Sequence, residues 1–505
     1  MPAAATRRVA AACDEVLTRP VPGAVREGVL RVRRELERPL RLAVVGRVKA
    51  GKSTLVNALL GQRVARVDAS ECTRAVTWFS YGHQEKVVVH ARNGRSWTRA
   101  FEADGYLPAD LGAAPEDIAS VEVVLCNEAL AGTTVIDTPG LDSLTADAGA
   151  RTEELLGLDG DSQRALQAAD AVLFLVPQLT RSDDQRLRAL AAAMSRTAGA
   201  SGFSPATVLA VLSRADTIDD GTATATLDGS GDTWPAATVL AARYAEQLQG
   251  VAGGVVPVAG LLAEAADASL ITDAVVDDLR RLAAMPEDDR ELLLLSANLF
   301  ASTPDVGVPE ANRARLLGLL GLPGLRLCLA HLADGHEGAE AVSKRLRALS
   351  GIEAVHDAIR RLFTAQADAI GAHRALVALE SLSFAPGAPA WMRDVVEEAR
   401  EDPALQGLRE RDVLVRWTRG ELLLPPELAA DLQALAHGAD DATRLGGDPR
   451  DPAADREALG RRALAAATRW LRFANDPRTD LPARRAAEVV RDSYTAAWER
   501  LAGPA

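Results

Sequence analysis

The chain has 505 residues, too many for one hydrophobic core, and by size divides into about two to four domains. Apolar residues make up 48% and charged residues 25%, an ordinary globular balance that argues against a disordered chain. A formal net charge of -13 excludes a surface built throughout for nucleic acid, and contact with anionic lipid then needs a local basic patch.

Near the start, Asp14 and Glu15 interrupt what would be the apolar part of a signal peptide, so the chain is expected to be cytoplasmic. In residues 24 to 38, Val25, Val29, Val32 and Leu36 recur at helical spacing with arginines on the other faces, which predicts a helix before the first strand. From Leu42 to about Ala266, apolar runs alternate with helix-like ones. The runs are LAVVG, VTWFSYG, KVVVHAR, SVEVVLC, TTVID, AVLFLVP, ATVLAVLS and GVVPVAG, and the alternation predicts a mainly parallel sheet with crossover helices. Asp220 to Asp232 reads as a polar loop. The most apolar window, Gly250 to Ala266, holds Pro257 and is shorter than the roughly 20 residues a bilayer demands, so no transmembrane helix is expected.

Beyond Ala266 the strand signals fade, and Ile352, Val355, Ile359, Leu362 and Phe363 share one helical stripe. The expected fold is an α/β domain at 42–266 and an all-α helical bundle at 267–505, with N-terminal helices at 1–41. Breaks are expected at Phe384 to Trp391, Leu422 to Leu428 and His437 to Asp455. No fixed-period repeat marks a solenoid. Cys13, Cys72, Cys126 and Cys328 lie far apart and the seven histidines lack ligand spacing, so neither a disulfide framework nor a zinc site is expected.

The chain has four lysines, and two of them, Lys49 and Lys52, stand in GRVKAGKST, Gly46 to Thr54. This stretch satisfies G-x-x-x-x-G-K-[ST] after an apolar strand and at the head of a helical pattern, the context a phosphate-binding P-loop requires. Gly46 and Gly51 let the backbone, with Ala50, fold round the phosphates, whose charge meets the N–H groups and positive end of the new helix, at Thr54 and its neighbours. Lys52 supplies a point charge for the β/γ-phosphates, and Ser53 a hydroxyl for Mg²⁺. Downstream, DTPG ends a strand in D-x-x-G, so that Asp137 can hold Mg²⁺ through water and the Gly140 N–H can sense a γ-phosphate.

In VLSRAD, Asp216 follows another strand at the place of the [NT]-K-x-D base-reading element. A carboxylate there accepts the N1–H and exocyclic amine of guanine, a pair adenine lacks, so GTP and GDP are favoured over ATP. Ser213 and Arg214 depart from that pattern, although an Arg stem and guanidinium can stack on a purine. The alternative for Asp216 is a helix N-cap. Thr73 is the expected mobile-loop ligand of Mg²⁺, with Thr77 as competitor. GVVPVAG places Val258 and Ala259 beside the purine.

Lys52 and Asp137 stand roughly 85 residues apart, more than in small Ras-like GTPases, and a long helical region follows. On these features and on GRVKAGKSTLVNALLG, ECTRAVTWFSYG, DTPGLDS, VLSRAD and VVPVAGLLA, the chain resembles bacterial dynamin-like GTPases, most of all the actinobacterial isoniazid-inducible branch. The resemblance implies a GTPase head on bundles built from both chain ends, with paired heads hydrolysing GTP to drive assembly or membrane remodelling. Implied partners are a second copy or a dynamin-like paralogue and, peripherally, lipid at the inner face of the cell membrane, but no nucleic acid.

Two positions depart from eukaryotic dynamins. Val48 replaces the Gln that orients the attacking water, which keeps open a second reading as a slow or inactive switch that recruits a protein partner. Lys49 replaces a Ser thought to help hold a charge-compensating cation, so its ammonium could stand in for that cation; the alternative is a solvent-facing lysine. Arg416 to Leu428 and Arg461 to Phe473 are candidate lipid-touching segments, and burial in the bundle core is the favoured expectation for both.

Overall fold

The computed structural model describes residues 4–65, 75–140, 160–197, 207–218, 234–249, 251–267, 270–304, 306–333, 338–418, 420–437, 440–447 and 456–502. Two helices, α1 (Ala4–Thr18) and α2 (Gly23–Glu35), precede β1 (Leu40–Gly46) and α3 (Lys52–Leu60). Five strands follow: β2 (Val76–Tyr81), β3 (Lys86–Ala91), β4 (Ser96–Arg99), β5 (Ile118–Leu125) and β6 (Thr133–Asp137). Then come α4 (Gly160–Ala168), β7 (Ala171–Val176), α5 (Arg181–Thr197), β8 (Val208–Ser213), α6 (Pro235–Gln247) and β9 (Val255–Val258). Beyond β9 the described residues are helical: α7 (Gly260–Asp267), α8 (Asp273–Ala283), α9 (Glu287–Leu293), α10 (Ala297–Ser302), α11 (Glu310–Ala333), α12 (Ala339–Leu349) and α13 (Ile352–Leu362). The last are α14 (Ala367–Ser383), α15 (Trp391–Glu401), α16 (Gln406–Thr418), α17 (Pro426–His437), α18 (Asp441–Arg444), α19 (Arg456–Asn475) and α20 (Leu481–Ala502).

The strands form one sheet in the order β4-β3-β5-β2-β6-β1-β7-β8-β9. β6, β1, β7, β8 and β9 run parallel, as do β2 and β5, while the β2–β6, β3–β5 and β3–β4 pairs are antiparallel. β7 and β8 are buried along their whole length, which is why their sequences read as unbroken apolar runs. Each run expected as a strand is one. β4 was not expected, because four residues with a single large apolar side chain, Trp97, leave no pattern to read.

The chain divides into two compact units, one of Pro39–Leu190 and Val208–Arg360, the other of Met1–Arg38, Ala191–Thr207 and Arg361–Ala505. The sheet unit thus runs well past the boundary expected at 266. The reason is a shared core: Leu262 of α7 packs with Val276 and Leu279 of α8, Leu320 of α11 and Leu346 of α12. Contrary to expectation, Glu310–Leu332 is long and apolar enough, by length and composition, to cross a membrane. Gly321, at φ 65° and ψ 173°, breaks that helix, and Leu316, Leu320, Leu325 and Leu329 are buried in the same core.

The helical unit joins both parts of the chain. Val9, Cys13 and Val16 of α1 and Val25 and Val29 of α2 share a core with Ala372, Leu376 and Leu379 of α14 and Val395 of α15. The Asp368 carboxylate accepts the Ala5 and Thr6 N–H groups, each at 3.1 Å, and so satisfies two otherwise orphaned donors of α1. A second core gathers Leu432, Leu459, Trp470, Val490 and Tyr494.

Candidate nucleotide-binding site

Because β6, β1, β8 and β9 are parallel, their carboxyl ends lie on one edge of the sheet, where α/β folds bind ligands. β1 delivers Gly46 against β7. A Cβ there would stand 2.8 Å from the Leu175 carbonyl oxygen, so the glycine answers to the neighbouring strand. The loop then turns through Lys49, at φ 61°, and Gly51, at φ 94°, before α3 begins at Lys52. Lys52 is 8% exposed, and its ammonium donates to the Gly46 and Arg47 carbonyls, both at 3.2 Å. Burial pulls its pKa down, opposed by the charge of Asp137.

Asp137 closes β6, and the Ser53 hydroxyl donates to its Oδ2 at 3.1 Å. The residue as a whole is half-buried, but its Oδ1 is buried and finds no partner among the described residues. Burial pushes the carboxyl up to about 6, against the lowering effects of Lys52 and Ser53. One hydroxyl and one orphaned carboxylate oxygen side by side suit a hard cation that keeps water and takes its other ligands from phosphate, as Mg²⁺ does. Gly140 passes directly under the P-loop: a Cβ would lie 2.8 Å from Val48 Cα and 2.9 Å from its nitrogen. Only glycine lets the two loops meet so closely.

At the end of β8, Arg214 adopts φ 57°, and its guanidinium donates to the Lys49 carbonyl at 2.8 Å. The group expected to stack on a purine thus reaches the P-loop backbone. Asp216 is not a helix N-cap; it sits inside the short turn Ala215–Thr217, half-buried, and desolvation raises its pKa while its own backbone N–H lowers it. Val258 and Ala259 are buried at the exit of β9. The Ala259 N–H donates to the Ser350 carbonyl at 2.8 Å, and Gly351, at φ 78°, lies so near that a Cβ would stand 2.7 Å from the Pro257 oxygen. Thr54 packs near Gly260 of α7.

A buried polar cluster secures α3 to α7. Asn57 accepts from the Val64 and Ala65 N–H groups and donates to Ala65 O and Glu264, while Glu264 pairs with Arg63 at 2.7 Å. Burial raises the Glu264 pKa, countered chiefly by Arg63. Thr73 and Cys72 lie outside the described residues. Thr77 is buried in β2 in register with Asp137, and its hydroxyl donates to Ala75 O at 3.4 Å. Sequence reasoning passed over Ser350, Gly351, Glu264 and the ion pair of Arg47 with Asp183; the Ser-Gly pair after an apolar helix was the one local signal, and it indicates a turn without indicating what the turn touches.

Residues 42–200 match the Dynamin family. The isoniazid-induced protein IniC of Mycobacterium tuberculosis (strain ATCC 25618 / H37Rv) is 34% identical over 482 residues, 92% of this chain and 92% of its own. The chain belongs to the dynamin family. A bacterial dynamin-like protein of Nostoc punctiforme is 43% identical over 56 residues, 11% of this chain and 8% of its own. A solved structure described as an oligomerised bacterial dynamin pair aligns over 98% of this chain and 75% of its own at 12% identity, with a TM-score of 0.31. Within this dynamin-family chain, Gly46, Lys49, Ala50, Gly51, Lys52, Ser53, Asp137 and Gly140 come together round the head of α3, and Arg214 reaches them from the next strand end.

Proposed function

We propose that this dynamin-like GTPase binds GTP with Mg²⁺ and hydrolyses it to GDP and phosphate, and that pairing of nucleotide-loaded heads, with a second copy or a paralogue, drives membrane remodelling. The observation that carries the reading is the Ser53–Asp137 pair with its orphaned Oδ1, beside the buried Lys52 ammonium at the start of α3. Lys52 exchanges its two carbonyl contacts for the β/γ-phosphates, and Ser53 and Asp137 hold the metal. Held by Ser53 and Asp137, Mg²⁺ would supply neutralising charge to the phosphates. The Gly140 N–H faces the γ-phosphate, Asp216 accepts from guanine, and the Lys49 ammonium offsets developing negative charge.

Membrane contact draws support from the helical unit. Of the two candidate segments expected in the core, one leaves Leu423 87% exposed while burying Leu422. In the other, Ala463, Ala466, Ala467 and Trp470 are buried, but Leu464 and Leu471 face outward with Arg461, Arg462 and Arg472. Exposed leucines among arginines supply the local basic and apolar patch that a chain of net charge -13 needs to meet an anionic bilayer.

Val48 favours the second reading, a slow switch that recruits a protein partner: it is 56% exposed and its side chain has no polar atom to orient water. Turnover measured across a protein concentration series, with and without anionic liposomes, separates the two. Specific activity that rises with concentration supports paired heads, and a further rise with liposomes supports the membrane. GTP binding with flat, slow turnover favours the switch, and absence of guanine-nucleotide binding overturns both.

A further inference from the structure

Arg47 follows the first P-loop glycine, and its carbonyl receives the Lys52 ammonium. Its guanidinium points away from that contact: Nη2 lies 2.9 Å from Asp183 Oδ2 and 3.5 Å from the Gln178 carbonyl, at the entrance to α5. Asp183 is 1% exposed and Arg47 36%. The same Oδ2 accepts the Thr180 N–H at 3.0 Å and the Thr180 hydroxyl at 2.7 Å, and Thr180 Oγ1 accepts the Asp183 N–H at 3.3 Å. Thr180 and Asp183 thus close the start of α5 between themselves. The cation is surplus to that cap.

We infer that Asp183 is a positioning residue of the P-loop, which holds the Arg47 guanidinium away from the nucleotide so that the phosphates meet the lysine ammoniums of the loop without it. The inference rests on the nucleotide reading above. An arginine fork binds phosphate in bidentate fashion and more strongly than a point charge of equal sign. Freed beside the P-loop, Arg47 would grip the phosphates of GDP as well as those of GTP. Such uniform binding adds nothing to the chemical step and retards release of the product. A carboxylate fixed by Thr180 is suited to prevent this, because it cannot follow the guanidinium towards the ligand.

The test uses the full chain and fluorescent GDP and GTP analogues, with single-turnover and steady-state hydrolysis measured in parallel. Asp183→Ala releases Arg47; Asp183→Asn keeps an acceptor for the cap and removes only the charge, which guards against a folding defect. Both variants should bind GDP about tenfold more tightly, the 1.4 kcal/mol of one charge-assisted contact, and release it correspondingly more slowly. Steady-state kcat should fall while the single-turnover rate holds. Adding Arg47→Gln to Asp183→Asn should restore wild-type GDP affinity, which a simple helix cap cannot explain. Unchanged or weaker GDP binding in the single variants, or tighter binding that survives Arg47→Gln, overturns the inference. A wild-type chain that binds no guanine nucleotide overturns the nucleotide reading itself, and this inference with it.

Discussion

Gly351→Ala tests how firmly the loop after β9, proposed to face the purine, depends on the turn behind it. The glycine has φ 78°, a conformation that costs a residue with a Cβ about 1–2 kcal/mol. The new Cβ would stand 2.7 Å from the Pro257 oxygen, where ordinary contact begins at 3.4 Å, so one backbone must retreat from the other. That retreat breaks the Ala259 N–H bond to Ser350 O, now 2.8 Å, for a further loss of about 1 kcal/mol. The sum is about 2–4 kcal/mol of local stability, with added strain counted at the upper end. Native-state hydrogen exchange at the Ala259 amide reads it directly: exchange should accelerate about 30- to 1,000-fold. Affinity for guanine nucleotides should fall with it, because Val258 and Ala259 lose their backing. Ser350→Ala, which keeps the carbonyl and removes a hydroxyl bonded to Arg347 O and Ile352 N, should cost less. Exchange within threefold of wild type in Gly351→Ala would refute this account of the turn.

Lys52→Ala should abolish guanine-nucleotide binding or hydrolysis, and normal turnover in that variant would dismiss the assigned site. Asp216→Asn should weaken GTP binding by about 1.5–3 kcal/mol and admit xanthosine triphosphate, read by competition; an unchanged preference for GTP would relieve Asp216 of base recognition. Lys49→Ser should lower turnover more than GTP affinity, with partial rescue by potassium, whereas equal losses would make Lys49 a uniform phosphate contact. Asp137, raised from 3.8 to about 6, is protonated more readily folded than unfolded, so its charge costs the metal-free fold about 3 kcal/mol above pH 6, a cost that disappears as pH falls towards 4. Mg²⁺ requires the charged form, so Mg²⁺-dependent nucleotide binding should weaken as pH drops through about 6; an unaltered Mg²⁺ dependence down to pH 5 would contradict that burial.

The strands and the P-loop were legible because their physics is local. Runs such as AVLFLVP are apolar throughout since parallel strands are buried on both faces, and GRVKAGKST carries its turn and charge within nine residues. Gly140 was legible as part of D-x-x-G, though its steric reason, the approach of Val48, was not. Contacts between distant residues left no pattern. Ser350 supports Ala259 from 91 positions away, Asp183 holds Arg47 from 136, and Glu264 reaches Asn57 across 207. The compact unit reaches past the boundary expected at 266 for the same reason: loss of strand signals marks where the sheet ends, and the core that α7 shares with α8, α11 and α12 continues beyond it.

The bond from Asp368 to the first amides of α1 has a consequence in time. The two partners are separated by 362 and 363 positions, and Val9, Cys13 and Val16 wait equally long for Ala372, Leu376 and Leu379. At about 5–20 residues per second, synthesis leaves α1 roughly 20–70 s without its cap or its apolar partners in α14. The sheet unit, which ends at Arg360, has its whole sequence made in that interval. Folding on the ribosome is therefore ordered by the chain itself, head first, with the earliest helices held open as an uncovered apolar face until the residues beyond 367 close over them.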